Sequence, residues 1–363
     1  MSLYKITDKA GLHRHLEAAM QLEHATIPPY LTALYSIKPG TNTEAYHIIR
    51  AVAVEEMLHL TLAANILNAV GGDPDMTVPG FVPLYPAYLP DGETDFQVDC
   101  QRFSPAAIET FLKIERPAEG GTAGVDTIHK GRKSGHHGDG HKRHGTAVKA
   151  RQVHADGEEH FYSIGEFYQA IEEGLERLHA EMGDALFSGD PARQISQQYY
   201  YSAGGSLTPV TDLASAKAAI RLISEQGEGV TDNIFDFEGE IAHYYRFEQL
   251  LRGRYYQPGD ARGKPTGREL KVDWDEVFPI KANARLSDYA PGSDLLHGAV
   301  GFNRTYGEFL GLLTQSLRGQ PELFVEAVGV MFQLKDMSYQ LMRHPIGDVH
   351  GLHGAPTFEI NNG

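Results

Sequence analysis

Apolar residues recur at three- and four-residue spacing along most of the chain, which predicts helices rather than strands. Over residues 8–36, Leu12, Leu16, Ala19, Glu23, Ile27, Tyr30 and Leu34 share one face. Pro28 and Pro29 fall inside this segment. Lacking N–H groups, they leave the carbonyls near His24 and Ala25 without helical partners, so a kink is expected there. A second helix over 44–70 is capped by Thr43 and stops at the GGDP sequence beginning at Gly71. Its face runs Ile49, Val52, Ala53, Glu56, His59, Leu60, Ala63, Leu67. Further helical periods cover 105–116, 163–187, 212–228, 234–252, 294–318 and 321–343.

The intervals between these helices differ in character. Residues 73–104 are rich in proline and glycine, with short candidate strands. From Gly120 to His160 the sequence turns basic and glycine-rich, as in HKGRKSGHHGDGHKRH. Its histidines, His129, His136, His137, His141, His144 and His154, alternate with Gly, Lys and Arg and offer no fixed ligand geometry, so a solvated loop is expected. The order of helix pair, long connection, helix pair and extra helices predicts an all-α, ferritin-like four-helix bundle. The bundle is expected over 1–260, with the irregular segment of about 73–160 inserted in it, and a helical extension over 261–363 is expected to pack on it.

The chemistry-bearing residues sit on the apolar faces. Carboxylate-bridged dimetal bundles take one Glu from each of two helices and a Glu-x-x-His from each of the other two. Residues i and i+3 lie on one helical face, so both can reach one ion. Four Glu-x-x-His matches occur here, where chance gives roughly one or two, so burial must separate them. Glu56/His59 and Glu240/His243 lie in apolar settings. Glu176/His179 shares its side with Gln169, Glu172 and Glu173, which reads as a solvated face, and Glu44/His47 sits at a helix start, where the dipole favours an acid.

Each retained motif has a neighbouring helix with an acid among apolar residues: Glu23 for the first, and Glu225, in preference to Glu228, for the second. A buried unpaired Glu is costly and calls for a cation or a proton. The expected metal ligands are therefore Glu23, Glu56, His59, Glu225, Glu240 and His243, with Glu56 and Glu240 bridging two ions. Glu55, Tyr30 and Tyr244 are expected just outside them, with Glu55 placed to orient His243. Gly239, at the corresponding position of the other motif, cannot support His59. Hard oxygen donors with imidazole suit two divalent ions, iron first and manganese as the alternative.

Composition narrows the function classes. A net charge of −16 over 363 residues argues against nucleic acid or an anionic membrane as a partner. The single cysteine, Cys100, excludes an intrachain disulfide framework and fits a reducing compartment. The first residues become amphipathic at once and contain no signal-peptide-like apolar run, so a cytoplasmic location is expected.

The segments LEHATIPPYLTALYSI, AVAVEEMLHLTLAANILNAVGG, SIGEFYQAI and LISEQGEG resemble the ferritin-like domain family related to iminophenyl-pyruvate dimer synthase. The resemblance covers roughly residues 8–260. It implies a ferritin-like fold and, for some members, oxidative coupling of amino-acid-derived imines, in certain cases with haem. Three readings follow. The first is an oxidoreductase of dimetal carboxylate type, acting on a small amine or imine with O₂ or peroxide. The second is an imine-coupling enzyme using haem or no metal, and CxxCH for covalent haem is absent. The third is metal binding without catalysis. The large additions to the bundle suit a substrate enclosure or the surface of a homo-oligomer.

Overall fold

The computed structural model describes residues 5–90, 94–117, 152–153, 159–161, 163–200, 204–228, 234–236, 239–347 and 351–360. Eight helices carry the architecture among them: α1 (Lys9–Ser36), α2 (Thr43–Ala69), α3 (Pro105–Ile114), α4 (Ile164–Met182), α5 (Leu213–Glu228), α6 (His243–Arg252), α7 (Asp294–Ser316) and α8 (Leu323–Arg343). The described sheet is one antiparallel pair of two-residue strands, β1 (Gln152–Val153) and β2 (Glu159–His160). The histidines His129 to His154 of the basic segment lie outside the described residues.

Local sequence sets several helix starts. Asp8 accepts from the Gly11 N–H, Ser104 from Ala107, Ser163 from Glu166 and Ser293 from Leu296, each satisfying a first-turn donor. Pro105 begins α3, where its missing N–H costs nothing. α5 and α6 are separated by a turn in which Gly239 takes φ +84°. There the Glu240 N–H donates to Asp236 Oδ1, and Asp236 N–H donates back to the Glu240 carbonyl. The helix predicted over 234–252 therefore begins only at His243.

α1 packs along α2 and α4 along α5, and the two pairs meet through α1 on α4 and α2 on α5. This is the four-helix bundle. α3 and α6 pack on each other and against α1 and α2 respectively, while α7 and α8 pair and lay α8 on α1. One hydrophobic core includes residues from Ile6 to Ile360.

α1 runs through Pro28 and Pro29 as one helix. A tertiary contact offsets part of the backbone penalty of an interior proline. The Ala25 carbonyl, which Pro29 cannot serve, accepts a 2.8 Å hydrogen bond from the buried Tyr85 hydroxyl. Thr32 Oγ1 donates to the Pro28 carbonyl at 2.7 Å. Adjacent residues of α1 then point opposite ways. Glu23 turns into the bundle, while His24 Nε2 lies 2.9 Å from the Tyr306 hydroxyl of α7. Burial lowers the His24 pKa to about 3, so this imidazole is neutral and ties α7 to α1 without charge.

Tyr85→Phe should leave the Ala25 carbonyl buried and unsatisfied, at a cost of about 1–3 kcal/mol. Urea unfolding checks this: the midpoint should fall with an unchanged slope. An unchanged midpoint would mean that the freed carbonyl finds another donor.

Candidate metal centre

Five donor side chains converge in the interior. Glu23 comes from α1, Glu56 and His59 from α2, Glu115 from the residue capping α3, and His243 from the first position of α6; all are at most 3% exposed. Ligand atoms of Glu56, His59 and His243 lie within 4.8 Å of one another. His59 Nδ1 is 3.5 Å from Glu23 Oε2 and 3.8 Å from Glu56 Oε1. His243 Nδ1 is 2.8 Å from Glu56 Oε1 and 3.5 Å from Glu115 Oε2. The arrangement has two matching halves, each with one imidazole and its own carboxylate, and Glu56 stands between them. The two rings lie nearly parallel, 5.4 Å apart at their centroids.

Hydrogen bonds fix which nitrogens face the centre. Gln226 Nε2 points to the Gly204 carbonyl, which can only accept, so Gln226 Oε1 is the atom 2.9 Å from His59 Nε2. His59 Nε2 must then carry the proton. Likewise His243 Nε2 lies 2.8 Å from Glu55 Oε2 and donates to it. Both rings are thereby left with Nδ1 directed at the carboxylates. Tyrosines fix the outer carboxylates in the same paired fashion: Tyr168 donates to Glu23 Oε1 and Tyr30 to Glu115 Oε1, each at 2.5 Å. Thr26 donates to Glu56 Oε2 at 3.1 Å.

The electrostatics call for a cation. Burial, with the charge of Glu115 adding to it, pushes the Glu56 carboxyl up to about 8. Burial opposes charge on His59, but Glu23 and Glu56 outweigh it and raise its pKa; His243 is raised well above the usual range against the same penalty, chiefly by Glu115. Burial would also raise Glu55, yet its His243 hydrogen bond and Arg246, 3.3 Å away, hold it below the usual carboxylate range. Despite its short distance to Glu56, His243 Nδ1 makes no hydrogen bond of acceptable geometry. A buried nitrogen lacking a hydrogen-bond partner and facing the carboxylates of Glu56 and Glu115 fits a metal ligand.

The structure brings Glu23, Glu56, His59 and His243 together, with Glu55 against His243 and Tyr30 against Glu115. It does not bring Glu225 or Glu240 there. The Glu240 side chain is 70% exposed and pairs with Arg246 at 3.5 Å. Because α6 starts at His243, Glu240 and His243 never share a helical face. Glu225 is one residue out of phase: the inward stripe of α5 is Ala216, Ala219, Ile220, Ile223 and Gln226, and Glu225 lies 4.0 Å from Arg221 instead. The Glu228 side chain is outside the described residues. Tyr244 belongs to a separate aromatic cluster with Tyr245 and Tyr256. The rejected motifs lie elsewhere, Glu176 on Lys217, His179 beside Asp184 and Glu44 on Arg268.

Three participants were missed. Glu115 carries the same signal as Glu23, since it extends the face of Ile108 and Phe111 by one more turn. Tyr168 lies among the apolar residues of α4 and reads from sequence as core. Gln226 has no charge to attract notice.

A model of the ferritin-like family matches residues 16–252. Dichlorochromopyrrolate synthase of Lentzea aerocolonigenes is 26% identical over 349 residues, covering 85% of this chain. The chain spans only 29% of that relative's length. The crystal structure of a ferritin-like protein from Caulobacter vibrioides superposes with a TM-score of 0.59 at 21% identity, covering 95% of this chain and 96% of that one. That likeness bears on the fold alone. With the family match spanning well over half of its residues, the chain belongs to the ferritin-like family.

Proposed function

We propose that the chain is a non-haem dimetal oxidoreductase, with two divalent ions held by Glu23, Glu56, Glu115, His59 and His243. Iron fits the donor set best, and manganese would bind the same oxygen and nitrogen atoms. The observation that carries this reading is the paired geometry, in which each imidazole has its own carboxylate and Glu56 is shared. Iron bound there would supply one-electron chemistry with O₂ or peroxide. The protein's own part is to fix Nδ1 of each histidine inward through Gln226 and Glu55, to hold Glu23 and Glu115 through Tyr168 and Tyr30, and to exclude bulk water. An amine or imine derived from an amino acid is the substrate class suggested by the likeness to dichlorochromopyrrolate synthase.

Metal binding without catalysis is a second reading, favoured by the small size of the void at the cluster, about 10 Å³, room for roughly one water molecule. Oxygen consumption after anaerobic ferrous loading separates the two. Turnover of O₂ beyond the stoichiometric oxidation of the bound iron, in the presence of an amino-acid-derived imine, supports the enzyme. Uptake that stops at the bound iron sinks it.

His59→Ala or His243→Ala should abolish stoichiometric metal binding, and Glu55→Ala should weaken it by about 10–100-fold through loss of the group that orients His243. Glu225→Ala and Glu240→Ala should retain wild-type stoichiometry by elemental analysis. Loss of metal in the Glu240 variant would contradict the placement of α6.

Metal loading should also release protons. The pKa values of Glu56, His59 and His243 are raised, so near pH 7 these groups hold protons that a cation must displace. Affinity should accordingly rise with pH through the neutral range. Titration with Co²⁺ in weakly buffered solution should acidify it. Binding with no proton release would contradict the electrostatic description.

A further inference from the structure

The two halves of the cluster match in their donors and differ in what stands behind them. Glu23 and Glu115 each accept from a tyrosine hydroxyl at 2.5 Å, Tyr168 on one and Tyr30 on the other. Each imidazole turns Nδ1 to the carboxylates, and each is at most 2% exposed. Behind the rings the symmetry ends. His243 Nε2 donates to a carboxylate, Glu55 Oε2, at 2.8 Å. His59 Nε2 donates to an uncharged amide, Gln226 Oε1, at 2.9 Å.

Both partners are held in place. Arg246 engages Glu55 through the other oxygen, Oε1, at 3.3 Å, which leaves Oε2 to the ring. Gln226 donates Nε2–H to the Gly204 carbonyl. Turning the amide over would set its oxygen against that carbonyl and its N–H against the Nε2–H of His59. Gly204 borders Glu55 as well: its φ is +118°, and a Cβ there would come within 2.9 Å of Glu55 Cγ.

An imidazole that donates to a carboxylate is a more basic ligand at its other nitrogen than one that donates to a neutral amide, and it binds a cation more tightly. The shared carboxylate is offset in the same direction. Glu56 Oε1 is 2.8 Å from His243 Nδ1 and 3.8 Å from His59 Nδ1.

We infer that the two metal positions are unequal, that the one beside His243 and Glu115 fills first, and that Glu55 and Gln226 are the positioning residues that set this order. This rests on the dimetal reading above and adds an order of loading to it. The ion on the His59 side, backed only by Gln226, is the more weakly held and the more readily exchanged.

Two-step binding alone would not test this, because the first ion repels the second even at identical positions. The test is where a single equivalent goes. Metal-free full-length chain is loaded with one equivalent of Co²⁺ at about pH 8, where protons compete less with the cation, and crystallised. Occupancies are read from anomalous scattering at the cobalt edge. An ion shared between two positions divides in the ratio of their affinities, so the His243 side should be favoured about tenfold in the wild-type chain. Glu55→Gln places an amide behind both rings, and Gln226→Glu a carboxylate behind both. Either change should bring the ratio close to even. A purely structural loss would lower both occupancies together and leave their ratio alone. Equal peaks in the wild-type chain, or a larger one beside His59, would overturn the inference. So would a wild-type ratio in either variant shown to be folded by circular dichroism. Co²⁺ at neither position would remove the metal-binding reading itself, a result distinct from an even split.

Discussion

Three carboxylates, Glu23, Glu56 and Glu115, share one buried compartment with two imidazoles, and the rest of the fold is arranged around that repulsion. Like charges so placed cannot all ionise without compensation. In the metal-free chain the compensation is protonic: Glu56 and both histidines hold protons more tightly than they would in water. On the proposed reading a divalent cation would replace those protons, which would make the protonated cluster and the metal-loaded one alternative solutions to the same electrostatic demand.

Maintaining such a cluster requires rigid walls. α1 supplies one wall and runs through two prolines, with the Tyr85 hydroxyl serving the Ala25 carbonyl that Pro29 cannot. Tyr30 and Tyr168 each direct a buried hydroxyl at an outer carboxylate, and their rings complete the aromatic packing around it. Glu55 balances His243 on one side and Arg246 on the other, so the charge deep in the bundle is linked to the exposed Glu240 by a chain of ion pairs. Second-layer groups of this kind set the orientation and basicity of the ligands they touch.

Sequence periodicity located seven of the eight helices within a few residues, because long amphipathic segments with polar caps leave little ambiguity. It overextended α6, since apolar residues upstream of His243 continue the pattern while the Asp236–Glu240 turn breaks the backbone. That one boundary removed Glu240 from the centre. α5 was mis-phased for a different reason: the alanine-rich LASAKAAIRLISEQGE offers two neighbouring apolar faces, 100° apart, and packing on α2 and α4 selects the one ending in Gln226. Glu23, Glu56 and His59 were legible because a charged group on a long apolar face must be paired, protonated or bound to a cation. Glu115 was not, because reasoning from four long helices gave no role to the end of a ten-residue one.

X-ray diffraction from crystals of the iron-loaded chain, with anomalous data collected on both sides of the iron edge, tests the central claim most directly. Two anomalous peaks flanking Glu56, one beside His59 Nδ1 and Glu23 and the other beside His243 Nδ1 and Glu115, are the expected result. Peaks at Glu225 or Glu240, or full iron occupancy with none between His59 and His243, would contradict it.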